Sequence, residues 1–363
     1  MSKPKKIQIL GKPYYGWLYE EQTKIKHKVL GSYVKVWISK VGYKSNTLFF
    51  DCHGGCGAYV DNDGSVQFGS SVIVKNIADM VNQTRTTKTY VLYCENDKDN
   101  FDNFSKIKDE LKAEDILIYN VAFEEAVTND KVVKCYQKYP TLFFVDPFGF
   151  NFDINILSSL MGSFGNEIII NFMFDFINRF TSVSGIEETY TSFFGSDKWK
   201  LANNMSGIER EQFLINLYKE KVKEITKAKY VFSYRLCYPN KNQTYYYLVH
   251  ATNHIDGITL MKDSFASVNN GRVQYLGKNN QSICFFDFTD YKADDIYANY
   301  LKKYSGREVS FEEFWEDIVE DTAYTSKDLV ASIQELERKN MIAVTRVSSK
   351  RGSYKGKDII FVK

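Results

Sequence analysis

The chain carries almost no excess charge. Its 47 lysines and arginines face 45 acids, a net charge of +2 over 363 residues, so no global field draws it to nucleic acid or to an anionic membrane. Long apolar runs are missing. The longest candidate, residues 168–180, is broken by Asn171, Asp175, Asn178 and Arg179, whereas a membrane span needs about 18 uninterrupted apolar residues. No membrane association is expected. The six cysteines, at 52, 56, 94, 135, 237 and 284, include no C-x-x-C pair and follow no secretory leader, which points to a reduced, cytoplasmic compartment. A second set of metal ligands is also lacking. Cys52-His53-x-x-Cys56 offers two thiols and an imidazole, but a structural zinc site wants four ligands, and His27, His250 and His254 supply no matching pair. The thiols read as small space-fillers in a loop, and no metal is expected. Nor is there a G-x-x-x-x-G-K-[S/T] loop to cradle a nucleotide phosphate.

What is present is a set of short apolar runs that stop at acids. Residues 48–57 read Leu-Phe-Phe-Asp-Cys-His-Gly-Gly-Cys-Gly, a buried strand ending at Asp51 and spilling into Gly54, Gly55 and Gly57. Glycine suits such a loop because the backbone must approach a ligand where a Cβ would clash. Residues 90–97 stop at Glu95, and residues 142–149 stop at Asp146. Three acid-terminated strands in this order predict a Rossmann-like α/β sheet with a polar ligand along its carboxyl edge. Residues 116–120 and 167–172 read as further strands, and helical patterns separate them, which implies parallel pairing with right-handed crossovers. Two strand-like runs, 230–238 and 244–249, are joined by Pro-Asn-Lys-Asn-Gln, which predicts an antiparallel hairpin closing the sheet. Aromatics reach 16%, with 26 Tyr and 27 Phe, mostly in the strand runs where core packing is their role.

The glycines do not lead straight into a helix. They run into a polar stretch at 58–69 before an apolar stripe begins near Ser70, so no helix start is expected against them to hold a pyrophosphate. A cationic nucleoside without phosphate fits better. S-adenosylmethionine is such a cofactor: Asp51 suits its cationic end, and Glu95 can accept both ribose hydroxyls.

At this point several ordered motifs resemble the three-Cys-motif partner family, bacterial proteins with a class I methyltransferase-like core and a winged-helix tail. The matching residues are Lys26-His27-x-x-Leu30-x-x-Tyr33 with Trp37, Asp51-x-x-Gly54-Gly55-x-Gly57, Gly69-Ser70, and Glu95-x-Asp97. They continue with Phe144-x-Asp146-Pro147-Phe148-Gly149, Ile170-Asn171-Phe172-Met173-x-Asp175, Phe194-Gly195 with Trp199, Ala251-Thr252-x-His254, and Met261-Lys262-Asp263. The resemblance spans roughly residues 23–265. It implies an S-adenosylmethionine site, a methyltransferase acting on nucleic acid or on something carried with it, and a partner protein with three cysteines that looks like a radical-S-adenosylmethionine protein. The alternative it leaves open is a non-catalytic assembly partner, as in an antiphage defence complex. Where the family's first loop reads Asp-Gly-Phe-Ala-Gly-Pro-Gly, this chain has Cys52, His53 and Cys56 in place of Gly, Phe and Pro. The acid and the last two glycines remain, so a working pocket is the expectation.

Other residues take their places from this frame. A helix over 23–40, with Thr23 as N-cap, precedes the first strand and aims Lys26 and His27 at cofactor or substrate, unless they form a solvated basic face. Asn120 closes the third strand, where class I methyltransferases often contact the adenine. Asp146-Pro147-Phe148-Gly149 is related to the Asp/Asn-Pro-Pro-Tyr of base amino-methyltransferases, whose acid accepts the target amine and whose aromatic stacks on a flipped base. Asp146 is therefore expected to bind a substrate amine, with Phe148 and Phe150 stacking on a planar ring. The other reading of Asp146 is a strand-end cap.

From about Asp290 the chain changes character. Helical patterns at 292–304, 311–320 and 326–340 precede two alternating strands, 341–347 and 358–362, around a basic, glycine-bearing tip. This is a winged helix-turn-helix in outline. Lys350, Arg351, Lys355 and Lys357 at the tip are the footprint of phosphate contact, although such tips also serve solubility or protein docking. The expected division is an N-terminal tail at 1–22 with a solvated basic start at 1–6, a methyltransferase-type domain at 23–289, and a winged helix at 290–363.

Overall fold

The computed structural model describes residues 4–181, 183–238, 243–268, 273–276, 285–287, 293–320, 322, 324–347, 349–350, 354 and 356–363. Two compact units emerge, Met1–Gly257 and Ile258–Lys363, so the division falls earlier than residue 290.

The first unit opens with strands β1 (Lys5–Ile9) and β2 (Lys12–Leu18) and helix α1 (Glu21–Val41). Then come β3 (Thr47–Asp51), β4 (Ala58–Val60), β5 (Val66–Phe68), α2 (Ser70–Asn82), β6 (Thr89–Cys94) and α3 (Lys98–Glu110). Next are β7 (Ile116–Tyr119), α4 (Phe123–Thr128), α5 (Asp130–Lys138), β8 (Thr141–Val145) and β9 (Glu167–Phe172). Helices α6 (Phe174–Phe180), α7 (Glu187–Phe194) and α8 (Gly207–Thr226) lead to the hairpin β10 (Tyr230–Cys237) and β11 (Thr244–Thr252).

Within this unit the central sheet runs β10-β11-β9-β8-β3-β6-β7. Strand β3 pairs in parallel with β6 on one side and β8 on the other, and β6–β7 and β8–β9 are parallel too. Strand β11 is antiparallel to both β9 and β10. The strand order reverses at β3/β8, and that switch point is where a doubly wound sheet opens its ligand crevice. A parallel sheet closed by an antiparallel hairpin is the class I methyltransferase-like arrangement expected from the sequence. Every residue of β3, β8 and β9 is buried, which is why these strands read as continuous apolar runs without alternation.

Two segments differ from the sequence expectation. The supposed tail at 1–22 contains the β1–β2 hairpin, turned by Leu10 and Gly11 at φ 49 and 81, the left-handed pair that a tight two-residue hairpin loop needs. Ile7, Ile9 and Tyr14 bury against Ala58, Val60 and Ile107. The polar stretch at 58–69 is the β4–β5 hairpin, and β4 pairs in parallel with β2, Trp17 opposite Tyr59. A small second sheet, β1-β2-β4-β5, results. Helix α1 begins two residues before Thr23, with Glu20 at the N-cap position and no side-chain cap.

Helix α9 (Ile255–Val268) leads into the second unit, which continues with β12 (Val273–Leu276), β13 (Phe285–Asp287), α10 (Ala293–Ile296), β14 (Glu308–Ser310) and α11 (Phe311–Ile318). Helix α12 (Ser326–Arg338) and strands β15 (Ile342–Thr345) and β16 (Ile359–Val362) complete it. Capping boxes at Ser310/Glu313 and Thr325/Asp328 start α11 and α12. Phe314, Ile318, Leu329, Ile333 and Leu336 are buried on the two helices, as are Ile360 and Val362 of β16. The sheet order β14-β16-β15 puts the wing between the last two strands. Lys262 is fully buried and donates to the carbonyls of Val319 and Thr322 past the end of α11. Asp263 accepts the Ser326 hydroxyl at 2.8 Å. Both residues thus tie α9 to the helix-turn-helix. No helix among the described residues is long and apolar enough to cross a membrane.

Candidate functional site

The carboxyl edge of the sheet gathers Asp51, Glu95, Asn120, Asp146 and Asn171 from the ends of neighbouring strands. Asp51 is completely buried, and one of its oxygens accepts the hydroxyls of Ser70 (2.5 Å) and Ser71 (2.7 Å) from the first turn of α2. Its other oxygen, Oδ1, has no partner. Burial raises its pKa to about 6, against the serine hydrogen bonds that lower it. The Gly69 amide also donates to the Gly57 carbonyl at 2.9 Å. A helix start therefore does sit against the glycine loop, brought there by the β4–β5 excursion, contrary to the sequence expectation.

Packing accounts for two of the three loop glycines. A Cβ on Gly54 would lie 1.9 Å from the Tyr93 ring, and one on Gly57, at φ +78, would lie 2.1 Å from Phe104. Tyr93 and Phe104 stack at 4.2 Å beneath the loop, and the Tyr93 hydroxyl donates to the Gly55 carbonyl at 2.5 Å. Gly55, at φ +64, has open space where a side chain would go. Its amide donates to Glu95 Oε2 at 2.8 Å, while Glu95 Oε1 accepts the Asp97 amide at 2.8 Å. Burial pushes the Glu95 pKa up, with these two backbone donors pulling it back. Asn120 is not among the residues that line the two cavities flanking the loop. Its side chain donates to the Glu95 carbonyl at 2.8 Å and so holds the end of β6.

Two cavities flank the loop. One of about 560 Å³ is lined by Cys52, His53, Glu95, Phe123, Glu124 and Asp153 among others. The second, about 340 Å³, is walled by Trp17 and Tyr59 of the small sheet, Lys26, Asp146 to Gly149, and Asn171. His53 lines both. Its ring lies 5.4 Å from that of Phe123, and its Nδ1 is buried without a partner. Burial depresses its pKa to about 4, although Asp146 acts to raise it, so the imidazole is neutral at pH 7. The neighbouring thiols turn to backbone: Cys52 to the Phe50 carbonyl at 3.5 Å and Cys56 to the Ala58 carbonyl at 3.2 Å. No group of three or more His, Cys, Asp or Glu residues among those described is placed to hold a metal.

At the second cavity Lys26 from α1 pairs with Asp146 Oδ2, and the Asn171 amide donates to Asp146 Oδ1 at 2.6 Å. Both carboxylate oxygens are thus engaged. Burial acts to raise the Asp146 pKa, but the Lys26 charge and the two hydrogen bonds outweigh it and hold the carboxyl below its usual range. His27 is not among the residues lining this cavity. It meets the Tyr19 hydroxyl at 3.1 Å and the Tyr59 ring edge-on, and burial, then Lys26, drive its pKa to about 3. Pro147 is buried, while Phe148 is 59% exposed. Phe150 is not free to stack on a substrate: it is buried against Tyr190 at 4.4 Å, with Phe176, Phe180 and Phe193 around it. Sequence reasoning missed His53 and Asn171 as site residues, and Trp17 entirely. Asn171 carried a signal, since it is the polar residue that follows the apolar Ile168–Ile170 near the carboxyl end of β9.

In the second unit Lys350 and Lys357 are exposed on the wing, whereas Arg351 and Lys355 lie outside the described residues. Asp358, fully buried at the wing's root, accepts the amides of Val347 (2.8 Å) and Ser349 (3.1 Å).

Residues 274–348 match the family described as a GMT-like wHTH domain. That match agrees with the winged helix read from the sequence and spans only the C-terminal region. A search of curated proteins finds no match. Among solved structures, the chain is similar to protein LPL1258 from Legionella pneumophila, at 13% identity and TM-score 0.42, covering 69% of this chain and 94% of that one. It is also similar to M. jannaschii TYW2 in complex with AdoMet (8% identity, TM-score 0.31, 68% and 84% covered). A putative methyltransferase from Thermobifida fusca gives 12%, 0.35, 64% and 82%. With likenesses this distant, the strand order itself is the ground for describing the core as class I methyltransferase-like.

Proposed function

We propose that the chain is an S-adenosylmethionine-dependent methyltransferase whose substrate is nucleic acid or a molecule carried with it. The observation that carries this reading is the meeting of two cavities at His53, one with the Glu95 carboxylate on its wall and one with the Lys26–Asp146–Asn171 cluster. The residues fit the cofactor. Each Glu95 oxygen has spent one lone pair on a loop amide and keeps another for a ribose hydroxyl. The orphaned oxygen of Asp51 leaves unneutralised negative charge behind the loop, on the side where a sulfonium and an ammonium are favoured. Gly55 leaves its face of the loop open. When bound, S-adenosylmethionine supplies an electrophilic methyl group.

The chain's own residues do the rest. Gly54 and Gly55 fix the loop, Glu95 orients the nucleoside, and Phe148 offers a flat apolar face at the mouth of the second cavity. Lys26 and Asn171 hold Asp146 ionised, so that its charge is constant through the reaction. Lys350, Arg351, Lys355 and Lys357 would contact the phosphate backbone.

Calorimetry with S-adenosylmethionine tests the reading. The expected result is saturable binding that Glu95→Ala weakens by about 1.5–3 kcal/mol, the value of a hydrogen bond to a charged acceptor. Unchanged affinity in a folded Glu95→Ala variant would remove Glu95 from the site. A parent that binds no S-adenosylmethionine would favour a second reading, supported by the winged helix: an assembly partner that docks nucleic acid or a three-cysteine protein without transferring a methyl group.

A further inference from the structure

The two cavities that meet at the glycine loop differ in charge from the chain as a whole. Among the described residues, the walls of the larger carry Glu95, Glu124, Asp153 and Glu188 and no lysine or arginine. The smaller adds Glu20, Asp146 and Asp175 against Lys26 and Arg179. Lys26 pairs with Asp146 and Arg179 with Asp175, which leaves Glu20. Seven carboxylates thus face two cations, a net of five negative charges, in a chain whose overall charge is +2. The four acids of the larger cavity come from separate segments: Glu95 after β6, Glu124 in α4, Asp153 beyond β8 and Glu188 in α7. Asp153 and Glu188 are exposed, and Glu95 and Glu124 half-buried. Glu124 and Glu188 stand in the first turns of their helices, where the helix dipole favours an acid. That accounts for each singly, and not for the lack of any cation on the same wall. A cleft lined by one sign of charge concentrates ligands of the other, and this field does not depend on the direction of any one side chain.

We infer that the site selects its cofactor by positive charge, holding the sulfonium of S-adenosylmethionine more tightly than the neutral thioether of S-adenosylhomocysteine, so that methyl transfer itself loosens the product. The inference rests on the proposed methyltransferase reading and adds to it the means of product release. In the transfer, the acceptor's lone pair forms the new bond to carbon, and the carbon–sulfur bond breaks with its electron pair staying on sulfur. An N–H or O–H acceptor then passes its proton to water. The sulfur loses its charge while the walls keep theirs. Glu20, Glu124, Asp153 and Glu188 therefore set specificity through charge, whereas Glu95 also orients the nucleoside. At about 10 Å, the scale of such cavities, one carboxylate changes the affinity of a unit charge roughly twofold at the dielectric of water. Five such carboxylates, reduced by screening, give about tenfold at about 10 mM salt and much less at about 0.5 M.

The test is calorimetry on the full chain with S-adenosylmethionine, S-adenosylhomocysteine and sinefungin, in which an amine-bearing carbon replaces the methylated sulfur. At about 10 mM salt both cationic probes should bind about tenfold more tightly than the thioether, and the gap should close to within about threefold at about 0.5 M. Glu124→Gln combined with Glu188→Gln removes charge and keeps side-chain shape, and should narrow the low-salt gap by about three- to fourfold. Should that double variant fail to fold, Asp153→Asn and Glu188→Gln made singly should each narrow it by about twofold. Thioether binding as tight as that of the two cations at low salt would overturn the inference. So would a gap that neither salt nor the charge-removing variants change. The cofactor reading would survive both of these results. Binding of none of the three probes would sink that reading, and this inference with it.

Discussion

His53→Phe offers a quantitative check on the junction between the two cavities. The imidazole's ordinary pKa is 6.5, and burial brings it to about 4 in the folded chain. The neutral form is favoured by folding, so protonation favours the unfolded state. The sign follows directly: above about pH 7 the group contributes nothing, and stability falls as pH drops through 6.5 towards 4. At pH 5 the unfolded imidazole is almost fully protonated and the folded one mostly neutral. A difference of 2.5 pKa units is then worth about 2 kcal/mol, at 1.36 kcal/mol per unit less the part not yet titrated. Phenylalanine fits beside the Phe123 ring and cannot titrate. The variant should match the parent to within about 1 kcal/mol at pH 7 and exceed it by about 2 kcal/mol more at pH 5.

The assay is urea unfolding followed by tryptophan fluorescence in a Trp315→Phe background, so that Trp17, Trp37 and Trp199 report on the first unit alone. All four histidines lie in that unit, and NMR of their ring carbons identifies His53 as the resonance lost in the variant. Asp146 acts to raise the pKa of both His53 and His27, and Asp146 and His27 remain outside the substitution, so comparison with the variant isolates the one group. A stability difference that is the same at both pH values, or a His53 resonance titrating near 6.5, would refute the argument.

Asp51→Asn should show the opposite trend. Its folded pKa of about 6 lies above the ordinary 3.8, so the carboxylate costs stability progressively as pH rises from 4 to 6, by up to about 3 kcal/mol. The variant should gain on the parent over that interval in the same urea assay; a flat difference would mean that Asp51 is not buried as a titrating acid. For the wing, changing Lys350, Arg351, Lys355 and Lys357 together to Ala should flatten the slope of log affinity against log salt on duplex DNA by up to about 3.6 units, at 0.9 per phosphate contact. The melting temperature should barely move, because exposed charges add little stability. A parental slope in the quadruple variant would exclude the wing, and a parent that binds no nucleic acid would make the winged helix a protein-docking module.

The parts of this fold legible in the sequence are those whose burial is two-sided or whose start signals are local. Strands β3, β8 and β9 are buried along their whole length, so each appears as an apolar run with a polar residue at its end. The capped helices α11 and α12 announce themselves through Ser310 and Thr325. The β1–β2 hairpin was hidden because Leu10, a residue that rarely adopts positive φ, occupies its turn. Strands β4 and β5 were hidden by their length of three residues, too short for alternation to register. Neither segment is stable locally; each gains its place by pairing with β2 or with its neighbour.

The glycine loop shows where pattern and cause part company. In the sequence, Gly54, Gly55 and Gly57 read as one feature, a backbone cleared for a ligand. In the fold they answer to different neighbours. Tyr93 of β6 fills the space a Cβ on Gly54 would take and Phe104 of α3 fills that at Gly57, and both rings come from segments about forty to fifty residues downstream. No spacing rule within the loop carries that information. Gly55 alone faces open space, and its amide meets Glu95. A ligand-driven argument therefore belongs to Gly55 and Glu95, whereas the other two glycines would be required even if the pocket bound nothing. The same division applies to the acids at the strand ends. One Asp51 oxygen is committed to the start of α2 and Asp146 to Lys26 and Asn171, so the groups left with unspent hydrogen-bonding capacity are Glu95, His53, Asn171, Trp17 and the other Asp51 oxygen. Chemistry at this edge has to be assigned to residues by what their neighbours leave free, which only the folded arrangement reveals.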